Sequence, residues 1–335
     1  MALPLLSTLR AQDTAVATLR RALRGDRVHH AYLFDGPSGV GKELAAFGLA
    51  QALVCEKRGR EAASDEACGA CSACMRAVPR DDQRRSVHPD IVVLERGLYE
   101  PAQIGRRTPE SQDISIDQVR TLVLARAAFG PHEGRAKVFI VRRAEELSVP
   151  AANALLKTLE EPGQNTHFVL LTAQPETLLP TIRSRTQRLR FAALPDAVVT
   201  ELLVKGGVDA TRAKEAARLS GGSVETGALL ADPELSVARD AFVARAIEAL
   251  DAPDLGPALE LADDAKKQKD ALPERLGAFA VVLAARATRG ATAGGPEADR
   301  DAARYSLALA AMSQLDGNAA PQLVIEAMLA RMRGV

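Results

Sequence analysis

Residues 30–43 read HAYLFDGPSGVGKE and combine three different local patterns. An apolar run typical of a buried strand leads into a glycine-rich turn, and ELAAFGLAQALV (43–54) then has a helical composition. Strand, glycine-rich loop and helix in this order are the context of a phosphate-binding loop. The loop matches G-x-x-x-x-G-K-[ST] at Gly36, Gly39, Gly41 and Lys42. At its last position Glu43 replaces the hydroxyl that holds Mg²⁺, which predicts weakened binding of a magnesium nucleotide.

Apolar runs with β-branched residues recur along the first part of the chain and alternate with helical segments. The further predicted strands are DIVVL (90–94), KVFIV (137–141), HFVLLT (167–172) and QRLRF (187–191). Continuous apolar runs suit strands that are covered on both faces of a parallel sheet. The alternation therefore predicts a parallel α/β domain over residues 1–190, with residues 95–112 as a polar surface loop.

The pattern changes after Pro195, where no convincing strand is found. Short helical segments at 195–205, 209–220 and 223–231 predict a small helical group over residues 191–232. Longer helical patterns follow and predict an all-α domain over residues 233–335, interrupted by a loop at GATAGG (290–295).

Composition narrows the functional classes. The 335 residues carry 43 basic and 43 acidic side chains, so the formal net charge is zero, whereas a protein that coats DNA by itself shows a basic excess. Only 3% of the residues are aromatic and Trp is absent, which disfavours a base-stacking surface. The N-terminal stretch MALPLLSTLRAQD is not typical of a signal peptide, and no apolar stretch approaches the length of a membrane span. We expect a cytoplasmic protein without membrane contact.

Four cysteines follow the loop helix, at Cys55, Cys68, Cys71 and Cys74. The last three form C-x2-C-x2-C, a spacing that lets tight turns aim successive sulfur atoms at one point. Four thiolates bind Zn²⁺ tetrahedrally, and a cytosolic chain does not keep disulfides. The pattern predicts a closed, structural zinc site in a module of about residues 55–75. Core thiols without metal are the alternative, and His88 is a possible substitute ligand.

A nucleotide-hydrolysing site also needs acidic residues at the end of a second strand, to hold the metal and to orient water. The candidate strand KVFIV runs instead into Arg142 and Arg143. Glu145 and Glu146 follow, but we expect them to lie beyond the strand end and to point into the next turn.

Four motifs in register resemble bacterial DNA polymerase III clamp loaders, which are AAA+ proteins. They are HHAYLFDGPSGVGK (29–42), the cysteine cluster, NALLKTLEEP (153–162) and LLPTIRSRT (178–186). The resemblance covers most of residues 1–230. It implies an AAA+ core with a zinc module, a helical lid and a C-terminal collar domain that joins other subunits.

The family contains ATP-hydrolysing subunits (gamma/tau) and a non-hydrolysing type (delta-prime). Glu43 replaces the hydroxyl of the loop, and Arg142 and Arg143 stand where acidic residues would hold the metal ion, so both parts of a metal site depart from the hydrolysing pattern. Glu225 stands where hydrolysing members carry an Arg that senses the γ-phosphate. The chain resembles the non-hydrolysing type, for which ATP binding is weak or absent. A working gamma/tau-like ATPase and a nucleotide-binding regulator that does not hydrolyse ATP are the alternatives.

One catalytic part is intact. In the family, the Arg of a Ser-Arg-Cys motif reaches across an interface to the neighbour's ATP, and Ser184-Arg185-Thr186 matches that motif with Thr for Cys. The resemblance implies that Arg185 acts in trans, with Ser184 beside it; a solvated basic face is the alternative. The implied partners are the gamma/tau ATPase, the delta subunit and the sliding clamp of the DNA polymerase III holoenzyme. Primer-template DNA would be met mainly through the complex.

Overall fold

The predicted strands pair into one parallel sheet. The computed structural model describes residues 5–58, 66–79, 85–106, 113–293, 297–316 and 319–335. The strands are β1 (Ala31–Asp35), β2 (Ile91–Leu94), β3 (Lys137–Val141), β4 (Thr166–Thr172) and β5 (Gln187–Arg190). Their order across the sheet is β2-β3-β4-β1-β5, and all neighbours run parallel. β1 is an interior strand between β4 and β5, so the loop that follows it opens at the carboxyl edge of the sheet, where ligands bind in open α/β sheets.

Helices cover the sheet in this part of the chain. They are α1 (Leu5–Thr8), α2 (Asp13–Arg24), α3 (Lys42–Val54), α4 (Ser72–Ala77), α5 (Ile116–Val119), α6 (Ala125–Ala127), α7 (Val149–Glu160) and α8 (Pro180–Arg183). The residues of β1, β2 and β3 are all buried, as their unbroken apolar patterns predict. One core cluster joins the sheet to α7 and contains the stacked rings of Phe139 and Phe168, 5.1 Å apart.

The segment predicted as a surface loop at 95–112 is only partly one. Residues Pro101–Ile104 form a 3-10 turn, and Ile104 is buried in the core cluster. A single apolar residue in a polar stretch shows no hydrophobic periodicity, so the sequence does not predict that Ile104 is buried. Residues 107–112 lie outside the described residues.

The later part of the chain is helical. Its helices are α9 (Asp196–Lys205), α10 (Ala210–Leu219), α11 (Val224–Ala231), α12 (Pro233–Asp251), α13 (Gly256–Lys267), α14 (Leu272–Ala293), α15 (Glu297–Asp316) and α16 (Pro321–Arg333). Within the described residues beyond Pro195 no strand is present. The GATAGG loop begins later than predicted, because α14 continues through Ala293; residues 294–296 are not among those described.

The AAA+ fold class implied by the resemblance is confirmed: a parallel α/β core is followed by an all-helical region. The chain divides into two compact units. The first contains the described residues up to Val199 together with Gly222–Glu225, and the second contains Thr200–Gly221 and the described chain from Thr226 onward. The finer division into a core, a lid (191–232) and a collar (233–335) stays a prediction. None of the described helices combines the length and the apolar composition needed to cross a bilayer.

Candidate functional site

The glycine-rich turn after β1 has the backbone of a phosphate-binding loop. Gly36, Gly39 and Gly41 have φ values of 146°, 67° and 102°, a region that side chains rarely adopt. A Cβ atom at Gly36 would collide with the carbonyl oxygen of Phe191. The loop therefore keeps its shape through glycine, as the sequence pattern predicts.

Lys42 begins α3 and is buried against the loop that precedes it. Its ammonium group donates to the carbonyl oxygens of Gly36 and Pro37, at 2.5 Å each. Burial lowers the pKa of Lys42, while the negative charges of Glu145, Asp35 and Glu225 oppose that shift. The ammonium group thus lies among carboxylates and loop carbonyls.

Arg142 forms ion pairs with acidic side chains from two other elements, Glu43 on α3 and Glu95 after β2. Its guanidinium donates from Nη1 to Glu95 Oε2 at 2.7 Å and from Nη2 to Glu43 Oε1. It also lies over the Phe47 ring, 5.6 Å from the ring centroid, and only 4% of the Arg142 side chain is exposed. Glu43 and Arg142, which the sequence shows as two separate departures from the hydrolysing pattern, therefore belong to one ion cluster. In it the guanidinium of Arg142 joins the carboxylates of Glu43 and Glu95.

Glu95 is the member of this cluster that sequence reasoning missed. It follows β2 directly and is buried, with 10% of its side chain exposed. An acidic residue at the carboxyl end of a buried strand was the available signal. Its partner could not be identified, because no cation near it in the sequence has the complementary position.

Of the residues that follow Arg142, Arg143 lies at the surface and Glu145 lies near the loop. Arg143 is 63% exposed and pairs with Glu146 at 3.0 Å. Glu145, expected to point into the next turn, instead lies near enough to Lys42 to influence its pKa. Around the loop, five carboxylates (Asp35, Glu43, Glu95, Glu145 and Glu225) thus accompany three cations (Lys42, Arg142 and Arg188).

Glu225 lies beside the loop as the family comparison implies. The backbone N–H of Val224 donates to the carbonyl oxygen of Gly39 at 3.1 Å. A Cβ atom at Gly39 would lie 2.8 Å from the nitrogen of Glu225 and would collide with Ser223 Oγ. The start of α11 therefore packs directly on the loop and places a carboxylate there.

The four cysteines converge. Their Sγ atoms all lie within 4.8 Å of one another, and those of Cys68 and Cys74 are 3.9 Å apart. In a tetrahedral site with Zn–S bonds of about 2.3 Å, sulfur atoms are about 3.8 Å apart, so the four cysteines fit a metal ion such as zinc. His88 is outside the cluster: its Nδ1 accepts from the backbone N–H of Asp90 at 3.1 Å.

Backbone N–H groups donate hydrogen bonds to three of the four sulfur atoms. Cys68 N donates to Cys55 Sγ at 3.4 Å, Cys71 N to Cys68 Sγ at 3.3 Å, and Cys74 N to Cys71 Sγ at 3.4 Å. Burial raises the pKa of the Cys68 thiol, but the N–H groups of Ala70 and Cys71 stabilise its thiolate and bring the pKa to about 7. Burial raises the pKa of Cys74. A metal charge would hold both as thiolates.

Arg185 follows α8 on the surface of the first unit, with 33% of its side chain exposed. Its Nε donates to Glu160 Oε1 at 2.6 Å, and its Nη1 donates to the carbonyl oxygen of Thr181 at 3.0 Å and to Ser184 Oγ at 3.3 Å. Arg183, two positions earlier, is exposed, and Arg188 pairs with Asp35 through two hydrogen bonds of 2.9 and 2.7 Å. Arg185 and Arg188 are therefore ion-paired within the chain, while Arg183 is exposed.

Similar proteins come from the replication machinery of bacteria. The DNA polymerase III subunit delta' of Pseudomonas aeruginosa is 39% identical over 199 residues, which cover 58% of this chain and 53% of that protein. The subunit delta' of Bacillus subtilis is 31% identical over 228 residues, which cover 68% of this chain and 62% of that protein. The subunit gamma/tau of Mycobacterium tuberculosis is 34% identical over 194 residues, which cover 58% of this chain and 30% of that protein.

The match thus spans less than two thirds of each of these relatives. A family model described as DNA polymerase III, delta subunit, matches residues 11–195, which is more than half of the chain. Together with the two delta' relatives, this match shows that the chain belongs to the DNA polymerase III delta subunit family as a delta-prime-like clamp-loader subunit.

Proposed function

We propose that the chain is a non-hydrolysing stator subunit of the DNA polymerase III clamp loader. It supplies Arg185 in trans to ATP held by a neighbouring gamma/tau-type ATPase. With the delta subunit, it helps to load the sliding clamp onto primed DNA during replication. Residues 191–232 serve as the lid, and residues 233–335 form the collar domain that joins the other subunits.

The observation that carries the non-hydrolysing role is the ion cluster around Arg142. A guanidinium bridges Glu43 and Glu95, so Glu43, at the position of the hydroxyl that holds Mg²⁺, is paired with a cation, and that cation stands where an acidic residue is needed at the end of β3. Five carboxylates around the loop also repel the negative charge of a triphosphate, which three cations offset only in part. Both effects oppose the binding of magnesium-ATP.

The position of Arg185 at the surface, with 33% of its side chain exposed, supports the role in trans. Arginine meets phosphate oxygens with a planar fork of donors and stays charged at any physiological pH. An arginine supplied from a neighbouring protein contributes roughly 10³–10⁵ in rate to phosphoryl transfer. Ser184 Oγ accepts from Arg185 and helps to orient its side chain.

Reconstitution of the loader with Arg185→Ala tests this role. We expect assembly and fold to be retained and ATP turnover at the adjacent site to fall roughly 10³-fold or more. Single-turnover ATP hydrolysis by the complex is the measurement. Arg183→Ala, which removes an exposed arginine two positions away, is the matched control and should leave turnover unchanged. Full activity of the Arg185→Ala complex would refute the proposal.

A gamma/tau-like ATPase is the rival enzyme. The intact Lys42, the loop glycines and the similarity to gamma/tau support it. The purified chain with ATP and Mg²⁺ separates the two: we expect no turnover above background, and steady hydrolysis by the chain alone would favour the rival.

A nucleotide-binding regulator is favoured by one observation, the preserved loop backbone with buried Lys42 and Arg142. In such a regulator the two cations replace Mg²⁺ as countercharge. Equilibrium binding of labelled ATP with and without Mg²⁺ tests it. Tight binding that does not need Mg²⁺ would support the regulator over a stator with weak or no ATP binding.

We further propose that the cysteine cluster holds one structural Zn²⁺ with no open coordination position. Metal analysis of the purified protein should give close to one zinc per chain, and Cys71→Ser should lose most of it, since a closed site needs all four ligands. His88→Gln, which changes a residue outside the cluster, should keep the metal. The same metal content in the wild-type and Cys71→Ser proteins would exclude the site.

A further inference from the structure

The guanidinium of Arg185 is folded back on its own chain. Both Nε and Nη2 contact the same oxygen of Glu160, the last residue of α7. Nη1 donates to the carbonyl oxygen of Thr181 and to Ser184 Oγ. All three nitrogen atoms therefore have partners within this chain.

These contacts compete with a phosphate. A guanidinium binds a phosphate in two parallel hydrogen bonds, which use two N–H groups on one edge. Glu160 occupies the edge formed by Nε and Nη2, and Nη1 on the other edge is engaged by Thr181 and Ser184. For a two-bond contact with a phosphate, Arg185 has to leave at least one of these partners.

Glu160 is the partner best suited to be exchanged. It lies at the C-terminal end of a helix, where the partial negative charge of the last carbonyl groups disfavours a carboxylate. Its side chain is 46% exposed and that of Arg185 is 33% exposed, so water screens the pair. An exposed pair of this kind shifts an equilibrium by a factor of about five at most. A terminal phosphate carries more charge than a carboxylate and can displace it.

We propose that Glu160 is a positioning residue for Arg185. It holds the arginine on its own subunit until the terminal phosphate of the nucleoside triphosphate in the neighbouring subunit replaces the carboxylate. This inference rests on the proposed function of Arg185 and adds a control over when that arginine is available.

Glu160→Gln tests the proposal in the reconstituted loader. The amide keeps the shape of the side chain and removes its charge, so Arg185 is released more readily. We expect kcat for ATP to rise by up to about fivefold, with KM little changed because the neighbour's own loop binds the nucleotide. Glu161→Gln, which neutralises the next exposed carboxylate, is the matched control and should not change kcat.

Two further variants separate this inference from the proposed function. If Arg185→Ala leaves turnover unchanged, the proposed function itself fails. If Arg185→Ala lowers turnover but Glu160→Gln leaves it unchanged or lowers it, the role of Glu160 is wrong and that of Arg185 stands. In the double variant Glu160→Gln/Arg185→Ala, turnover should equal that of Arg185→Ala. An increase that persists in the double variant would show that Glu160 acts through another residue.

A measurement on the isolated chain tests the contact directly. The Nε–H proton of Arg185 is held by Glu160 in the folded chain, and its exchange with water can be followed by NMR. We expect faster exchange in Glu160→Gln than in the wild type or in Glu161→Gln. Equal exchange in all three proteins would overturn the proposed contact.

Discussion

Arg142 compensates two carboxylates from separate elements, Glu43 on α3 and Glu95 after β2. Arg142 and Glu95 are both nearly buried, whereas the Glu43 side chain is 47% exposed. A buried ion pair contributes little net stability, but removing one partner leaves a buried charge without compensation. The two carboxylates should therefore respond differently to mutation.

Arg142→Ala should lower the free energy of unfolding of the first unit by about 3 kcal/mol or more, because Glu95 loses its cation. Glu43→Gln should cost below about 1 kcal/mol, since water already screens that side chain. Urea denaturation followed by circular dichroism gives both values. Equal losses in the two variants would contradict the difference in burial.

At the residue scale, the sequence identified every loop position but not the cluster. Glu43 and Arg142 were each recognised as departures from the hydrolysing pattern. Their contact joins positions 99 residues apart, and neither spacing nor periodicity relates them. The partnership of Arg185 with Glu160 was hidden for the same reason, since the two residues lie on separate turns 25 positions apart.

Among the elements, the contact between the glycine-rich loop and the start of α11 is sterically tight. Gly39→Ala combines a positive φ of 67° with a collision at Ser223 and Glu225. We expect a loss of about 1–3 kcal/mol and a displaced segment 222–225. Thermal unfolding and hydrogen exchange of residues 222–225 are the measurements.

Gly97→Ala supplies the control for this loss. Gly97 has a φ of 70°, but a Cβ atom there would meet nothing within 4 Å. It isolates the backbone strain, and its cost should be smaller than that of Gly39→Ala. If the two variants lose the same stability, the packing of α11 on the loop contributes nothing.

Elements with a strong pattern were predictable, and those that depend on distant contacts were not. The buried strands appear in the sequence as apolar runs, and Ser115, a residue type common at helix N-termini, caps α5 by accepting from the backbone N–H of Gln118. The π turn at Arg120–Leu124 interrupts that helix with no sequence signal. Gly290 was expected in a loop, but α14 continues past it.

At the scale of the molecule, histidines couple folding to pH. Burial is the first cause that lowers the pKa of His30, His88 and His167 in the first unit. The unfolded chain, with a histidine pKa of about 6.5, therefore binds more protons than the folded chain as the pH falls. Their contribution to stability is complete above about pH 6.5 and is lost as the pH falls through the lowered values.

The urea midpoint should accordingly decrease between pH 7.5 and pH 5.5, and His167→Asn should reduce that decrease. His167 is a suitable choice because its Nδ1 lies 3.1 Å from the carbonyl oxygen of His29 inside the fold. His132→Asn, at an exposed position, is the control and should keep the wild-type dependence. The same pH dependence in all three proteins would show that His167 is not responsible.

The order of the whole chain, a parallel α/β part followed by helices, was predictable from the change of pattern near Pro195. The two compact units do not follow that linear order, because Gly222–Glu225 belong with the first unit. Their position depends on the backbone contact of Val224 with Gly39. A change of composition along the chain predicts where one part ends and the next begins. It does not predict that a later segment, such as Gly222–Glu225, packs with an earlier part.

The cluster around Arg142 also has a consequence for descent. Glu43→Ser alone would remove one of the two carboxylates that Arg142 pairs with, and Arg142→Asp alone would put a third carboxylate where Glu43 and Glu95 share a guanidinium. The first substitution therefore keeps the buried cation with one partner fewer, and the second removes that cation and costs stability. The charges of the cluster therefore tie positions 43 and 142 to each other, so the residue at one position limits which residues the other can accept.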